Sequence, residues 1–126
     1  MSSDRLQILR ERLQGFVAER DWNQFHSPKN LAMAMIVEAA ELVEHFQWLT
    51  EAQSSELPAE KRVQVEQEIA DTFIYLLRLA DVLGFDLIDA AHRKMDINAL
   101  KYPVEKVKGR NDKYTSYQEK TTNGNH

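Results

Sequence analysis

Two pairs of carboxylates stand apart from the rest of the chain's acid. Glu38-Ala39-Ala40-Glu41 and Glu68-Ile69-Ala70-Asp71 each set two acids three residues apart, a spacing that puts both on one face of a helix. Their neighbours are small or apolar: Ile36, Val37 and Leu42 flank the first pair, and Ile69 and Ala70 lie inside the second. Acid on a helix that otherwise reads as core-facing is expensive to bury unpaired, and two such pairs packed together raise each other's pKa by repulsion. A hard divalent cation resolves the conflict. Magnesium takes oxygen ligands, keeps several waters and commonly bridges protein carboxylates to substrate phosphates. One Glu-x-x-Glu alone is most often a solvated face. Two of them on adjacent helices with apolar surroundings point to a metal platform. Glu44, Glu51, Glu60 and Glu66 lie among polar residues and read as solvated.

A scaffold of helices has to position these acids. The chain has 126 residues, 43% hydrophobic and 29% charged, with a net charge of −4, which suits one soluble domain. It has no cysteine, which excludes a disulfide, a thiolate nucleophile and a zinc–thiolate site. Its basic residues do not gather into one helix, as a binder of nucleic-acid polymers would require. The first residues lack the apolar core of a signal peptide, and the longest apolar run, Leu31 to Val37, falls far short of the ~20 residues of a membrane span. The expectation is a cytoplasmic protein with no membrane partner.

Helical periodicity dominates between a few glycines and prolines. Leu6, Leu9, Leu13, Phe16 and Val17 form a stripe in a segment from about Asp4 to Asp21. A loop is expected over 21–26. Ser27-Pro28 then opens a second helix, with serine as N-cap and proline in the first turn, expected to run to about Leu49. A loop over 54–58 leads to a third helix from Ala59 to Leu83, with Val65, Ile69, Phe73, Leu76, Leu77 and Ala80 as its apolar stripe and Gly84 as its C-cap. A fourth is expected from Asp86 to Leu100, ended by Pro103. The expected fold is all-α, an antiparallel four-helix bundle over 1–103, with an extended, partly disordered tail over 104–126, particularly after Gln118.

Several further side chains could serve a ligand. Trp22 sits in a polar loop, which favours recognition over packing. Trp48 reads equally as core. Phe25 suits packing or a pocket floor, and His26 lies beside a helix start where capping is the common fate. Tyr75 follows Asp71 by four residues on the same face, and Arg78 continues that face. Lys94 and Asn98 are four apart and point one way.

Together these residues resemble a known family. Asp21-Trp22-Asn23-Gln24-Phe25-His26-Ser27-Pro28-Lys29-Asn30-Leu31, then Glu38-x-x-Glu41, Phe46-Gln47-Trp48, Glu68-x-x-Asp71 with Tyr75, Lys94-Met95-Asp96-Ile97-Asn98 and Lys101-Tyr102-Pro103 resemble the MazG-like all-α NTP pyrophosphohydrolases, and within them the dCTP pyrophosphatase subgroup. The similarity spans about residues 5–117. It implies hydrolysis of a nucleoside triphosphate between its α and β phosphates, with Mg2+ held by Glu38, Glu41, Glu68 and Asp71. Trp22 and Trp48 match positions that border the base. Lys94 and Asn98 match polar contacts to nucleotide or phosphate, and Lys113-Tyr114 resembles a tail segment that can approach the phosphates, including those of a neighbouring subunit. Phe25, His26, Tyr75 and Tyr102 complete the substrate-binding set. Leu13 stands where animal relatives carry a histidine near the base, a departure that bears on base preference. Glu38 or Glu41 could activate the attacking water, or all four acids could simply ligate.

A di-iron carboxylate bundle needs Glu-x-x-His on two helices, and the chain has no Glu-x-x-His. A non-catalytic helical binding module would have no need of four inward acids. A broad NTP hydrolase, or one acting on dUTP, would use the same acids with another base pocket. Short amphipathic helices leave apolar surface to hide, so a homodimer or homotetramer is expected.

Overall fold

A computed structural model describes residues 2–109, and every regular element among them is helical. Six α-helices follow one another: α1 (Ser2–Glu19), α2 (Pro28–Glu44), α3 (Glu51–Ser54), α4 (Ala59–Leu83), α5 (Leu87–Lys101) and α6 (Val104–Val107). A 3-10 turn, Trp22–Phe25, links α1 to α2. The chain divides into two units, the first ending at Asp86 and the second beginning at Leu87. Among the described residues no helix is long and apolar enough to cross a membrane.

In the first unit α2 and α4 pair along their lengths and α1 packs on α4. Their directions follow from two meetings. His26, just before α2, reaches Arg78 late in α4, whereas Glu38, well along α2, meets Glu68 in the first half of α4. The pair is therefore an antiparallel hairpin. Its core is small: Val17 from α1, Leu31 from α2, and Val65, Leu77 and Ala80 from α4 are the buried apolar residues. The stripe expected on α4 is thus split. Val65, Leu77 and Ala80 are buried, but Ile69, Phe73 and Leu76 stay 52%, 39% and 39% exposed. An α4 that is apolar over more than one face cannot hide both against a single hairpin partner and α1.

Local chemistry sets the helix ends. Ser27 Oγ accepts from the Asn30 backbone N–H at 3.1 Å, and Pro28 occupies the first turn of α2. This helix stops at Glu44 rather than near Leu49. From there the chain tightens into three-residue turns, with His45 N–H donating to Leu42 O at 3.2 Å, Phe46 N–H to Val43 O at 2.9 Å and Leu49 N–H to Phe46 O at 2.9 Å. Thr50 and Gln53 then form a reciprocal capping box that starts α3 just before the expected loop. The expected loop over 21–26 is likewise tightened into the 3-10 turn. Helix α4 keeps the expected bounds, closed by Gly84 at φ 82°. Nothing lies within 4 Å of the position a Cβ would take there, so the left-handed backbone alone resists a side chain. Gly84→Ala should destabilise the protein by about 1 kcal/mol, read as a lower urea midpoint at unchanged slope; an unchanged midpoint would contradict this account of the cap.

The second unit carries α5, one residue later at both ends than expected, with Lys101 in its last turn. Pro103 then opens the short α6 within the stretch expected to be extended. Residues 110–126 lie outside the described residues, and with them the expectation for the tail after Gln118.

Candidate functional site

The hairpin brings carboxylates from both helices together. One carboxylate oxygen from each of Glu38, Glu41 and Glu68 lies within 4.8 Å of the others, and all three side chains are half-buried. Glu38 and Glu41 share a face of α2 through their three-residue spacing, and the antiparallel register sets Glu68 of α4 opposite them. The electrostatic consequence is marked. Burial, then hydrogen bonding to Glu68 and Glu41, then the charges of both, push the Glu38 carboxyl up to about 7. Glu68 Oε2 is buried without a hydrogen-bond partner. A buried acceptor left unpaired is costly, and a cation supplies what it lacks. Crowded acids and an orphan oxygen fit a divalent cation with oxygen ligands. Asp71, the fourth acid expected to hold the metal, is not part of this group. It is exposed and lines an adjoining cavity.

That cavity, of about 430 Å³, is bounded by Leu9, Arg12, Leu13, Phe16 and Val17 of α1, by Trp22 and His26 of the connecting segment, and by Asp71, Ile74, Tyr75 and Arg78 of α4. Residues 68, 71, 75 and 78 follow one stripe of α4, so a single helix face leads from the carboxylate group into the cavity. A mostly apolar cleft with a few converging polar groups is the usual form of a small-molecule site.

The wall carrying Trp22 is held in an unusual way. Asp21 has φ 56° and ψ 35°, left-handed values that aspartate tolerates better than most residues. Gln24 Nε2 donates to the Asp21 carbonyl at 3.0 Å and to its Oδ2 at 3.1 Å. The Trp22 ring meets Phe16 edge-on, with centroids 5.7 Å apart at 72°. The Arg20 guanidinium lies 3.6 Å over the other aromatic partner, Phe16. His26 accepts from Arg78 Nε at its Nδ1, at 3.1 Å. Burial first, and the adjacent Arg78 charge second, hold its pKa below the usual histidine range.

Of the residues singled out in the sequence, Trp22, His26, Asp71 and Tyr75 meet at the cavity, and Glu38, Glu41 and Glu68 meet beside it. Phe25 is 59% exposed and does not line the cavity; its carbonyl accepts from Asn30 Nδ2 at 3.0 Å. Trp48 is 86% exposed, beyond the end of α2. Lys94, Asn98 and Tyr102 belong to the second unit, with Lys94 exposed and Asn98 half-buried. Lys113 and Tyr114 lie outside the described residues. Sequence reasoning left Arg78 out of the site. Its signal was present, three residues beyond Tyr75 on the same face, but burial of its charge is a tertiary fact. The α1 wall was visible as a core stripe, with Leu13 alone set near the base by the family resemblance.

The MazG-like family matches residues 33–116. The chain is 42% identical over 112 residues to dCTP pyrophosphatase 1 of Mus musculus, covering 87% of this chain and 66% of that protein. It is 41% identical over 102 residues to dCTP pyrophosphatase 1 of Homo sapiens, covering 79% and 60%. The chain thus spans about two-thirds or less of the length of these curated relatives. Among solved structures, a pyrophosphatase from Archaeoglobus fulgidus DSM 4304 superposes with a TM-score of 0.75 at 42% identity, over 79% of this chain and 93% of that one. With the family matched over well over half its length and relatives of about 40% identity along most of it, the chain belongs to the MazG-like family.

Proposed function

We propose that the chain is a magnesium-dependent nucleoside triphosphate pyrophosphohydrolase, cleaving between the α and β phosphates and acting on dCTP or a modified dCTP. The observation that carries this reading is the meeting of Glu38, Glu41 and Glu68, with the orphan Glu68 Oε2, beside a cavity walled by Trp22, His26 and Tyr75. Dedicated curated relatives named for dCTP support the substrate class.

Glu38, Glu41 and Glu68 would hold the cation, with Asp71 one turn along the same face. A magnesium ion held by these carboxylates would supply positive charge to offset that of the triphosphate oxygens. A carboxylate of the pair Glu38 and Glu41 that is not engaged in ligation accepts the proton of the attacking water. Trp22 offers an indole face to the base, and the apolar α1 wall excludes water from it. Tyr75 offers a hydroxyl between Asp71 and Arg78. Phe25, Trp48, Lys94, Asn98, Tyr102, Lys113 and Tyr114 enter the proposal as substrate contacts through the family pattern alone.

The proposal includes an antiparallel four-helix bundle assembled as a homodimer or homotetramer. Exposed apolar residues recur at helical spacing on both hairpin helices, Met33, Ile36 and Val43 on α2 and Ile69, Phe73 and Leu76 on α4, between 39% and 59% exposed. Soluble chains rarely leave such rows uncovered. Trp48, exposed as it stands, could border a base only in such an assembly. A second substrate reading, a broad NTP pyrophosphatase, is favoured by Leu13, an apolar residue on the cavity wall.

The test is pyrophosphate release from a panel of dNTPs and NTPs, with magnesium and with EDTA. The expected result is magnesium-dependent release, fastest from dCTP or a 5-substituted dCTP. Equal rates across the panel would favour the broad enzyme, and no release from folded protein would leave a binding module.

A further inference from the structure

Arg78 is the buried charge for which the proposed chemistry has no use. Only 8% exposed, it lies among apolar α4 neighbours and does not belong to the carboxylate group. Burying a guanidinium is costly unless its donors are met, and three of them are. Nη2 donates to Asn23 Oδ1 at 2.6 Å, Nε to His26 Nδ1 at 3.1 Å, and Nη1 to Asp81 Oδ2 at 3.5 Å. The same Asp81 oxygen accepts from Gln14 Nε2 of α1 at 2.7 Å. One side chain therefore ties α4 to the inside of the turn that carries Trp22 and to the residue that follows it, and through Asp81 to α1.

We propose that Arg78 is a positioning residue for nucleotide binding: it clamps the Trp22 turn against α4 and fixes His26 as a neutral ring that keeps its proton on Nε2. The first half follows from the partners, because Asn23 lies within the turn, next to Trp22, and His26 directly follows it, and the residue that enters the turn, Asp21, is in a left-handed conformation. Such a turn persists only where its surroundings over-determine it. The second half follows from donor inventory. An arginine Nε–H can only donate, so the His26 Nδ1 it meets carries a lone pair, and in the neutral ring the proton sits on Nε2. His26 lines the cavity, so its one remaining polar atom is a hydrogen-bond donor, matched to an acceptor such as a base carbonyl or ring nitrogen. Lysine at 78 would keep the charge but not the rigid fork that serves three acceptors at once.

This inference rests on the proposed enzyme reading only for its kinetic arm. In the metal-free, substrate-free protein, 15N NMR of the His26 ring is expected to show the Nε2–H tautomer, and Arg78→Met is expected to release it to a mixture. In pyrophosphate-release kinetics, Arg78→Met should raise KM about tenfold, as loss of a supporting partner does, with kcat within about twofold. Arg78→Lys should recover part of the KM. Should Arg78→Met fail to fold, Asn23→Ala and Arg78→Lys carry the test, both with raised KM. A proton on Nδ1 in the parent protein would overturn the proposal, as would a fall in kcat at unchanged KM. Absence of hydrolysis in the parent, with the tautomer as stated, would sink the enzyme reading and leave the clamp standing.

Discussion

Glu38→Gln is expected to raise the stability of the metal-free protein at pH 8 while lowering magnesium-dependent hydrolysis at least about 100-fold, the upper range for losing even a supporting partner of a metal ligand. The two effects share one cause. In the metal-free fold Glu41 and Glu68 face Glu38, and its carboxyl is pushed up to about 7 from an ordinary 4.5. A group with a raised folded pKa binds its proton more tightly in the native state than in the unfolded one. Its contribution is therefore most favourable below pH 4.5 and is lost as pH rises through about 7. Glutamine removes that penalty, so the variant should gain on the parent between these values and hold a constant lead above them. After discounting for solvent screening of a half-buried group, the lead is about 1 kcal/mol, a rise of about 4 °C in Tm. Added magnesium should stabilise the parent and not the variant, and the parent's apparent affinity should climb with pH up to about 7 as the cation displaces the proton. Thermal melts across pH 4.5–8.5, with and without magnesium, check all of this. A variant less stable than the parent at pH 8 would mean that the three acids do not crowd one another.

Leu77→Ala carries the largest expected loss of stability, about 3 kcal/mol. Leu77 is 1% exposed, as are Leu31 on α2 and Val17 on α1. Helices α1, α2 and α4 thus each contribute one of the most completely buried side chains. With so few buried apolar residues, no neighbour is free to fill the cavity left by truncation. The loss is a large part of the 5–15 kcal/mol typical of a domain. Its neighbour Leu76 is 39% exposed, so Leu76→Ala should cost well under half as much in a dilute monomer and more where an assembly covers it. Urea unfolding at two protein concentrations reads both variants. A loss below about 1 kcal/mol for Leu77→Ala would show that α1, α2 and α4 do not close around it.

Much of the candidate site was legible in the residues alone. The three-residue spacing of Glu38 with Glu41 and of Glu68 with Asp71 already placed each pair on a helix face, because that periodicity is a property of the helix and not of its surroundings. Ser27-Pro28, Gly84 and Pro103 marked element boundaries for the same reason: capping and φ restriction act within a few residues. The bounds of α4 and the start of α2 follow from such local terms.

Other features needed the tertiary structure. The end of α2 at Glu44 follows from a competition among turns that apolar periodicity does not report, whereas the Thr50–Gln53 capping box is a local signal that the periodicity reading passed over. Which apolar residues of α4 are buried depended on the hairpin register, since Leu76 and Leu77 are adjacent in sequence and differ completely in exposure. That register also separated the acids, bringing Glu38, Glu41 and Glu68 together and turning Asp71 toward the cavity. The spacing put Arg78 on the face of Asp71 and Tyr75 but left its burial open. Only folding set it against Asn23 and His26, because a long side chain finds such partners through contacts more than fifty residues away in the chain, and no local spacing encodes those.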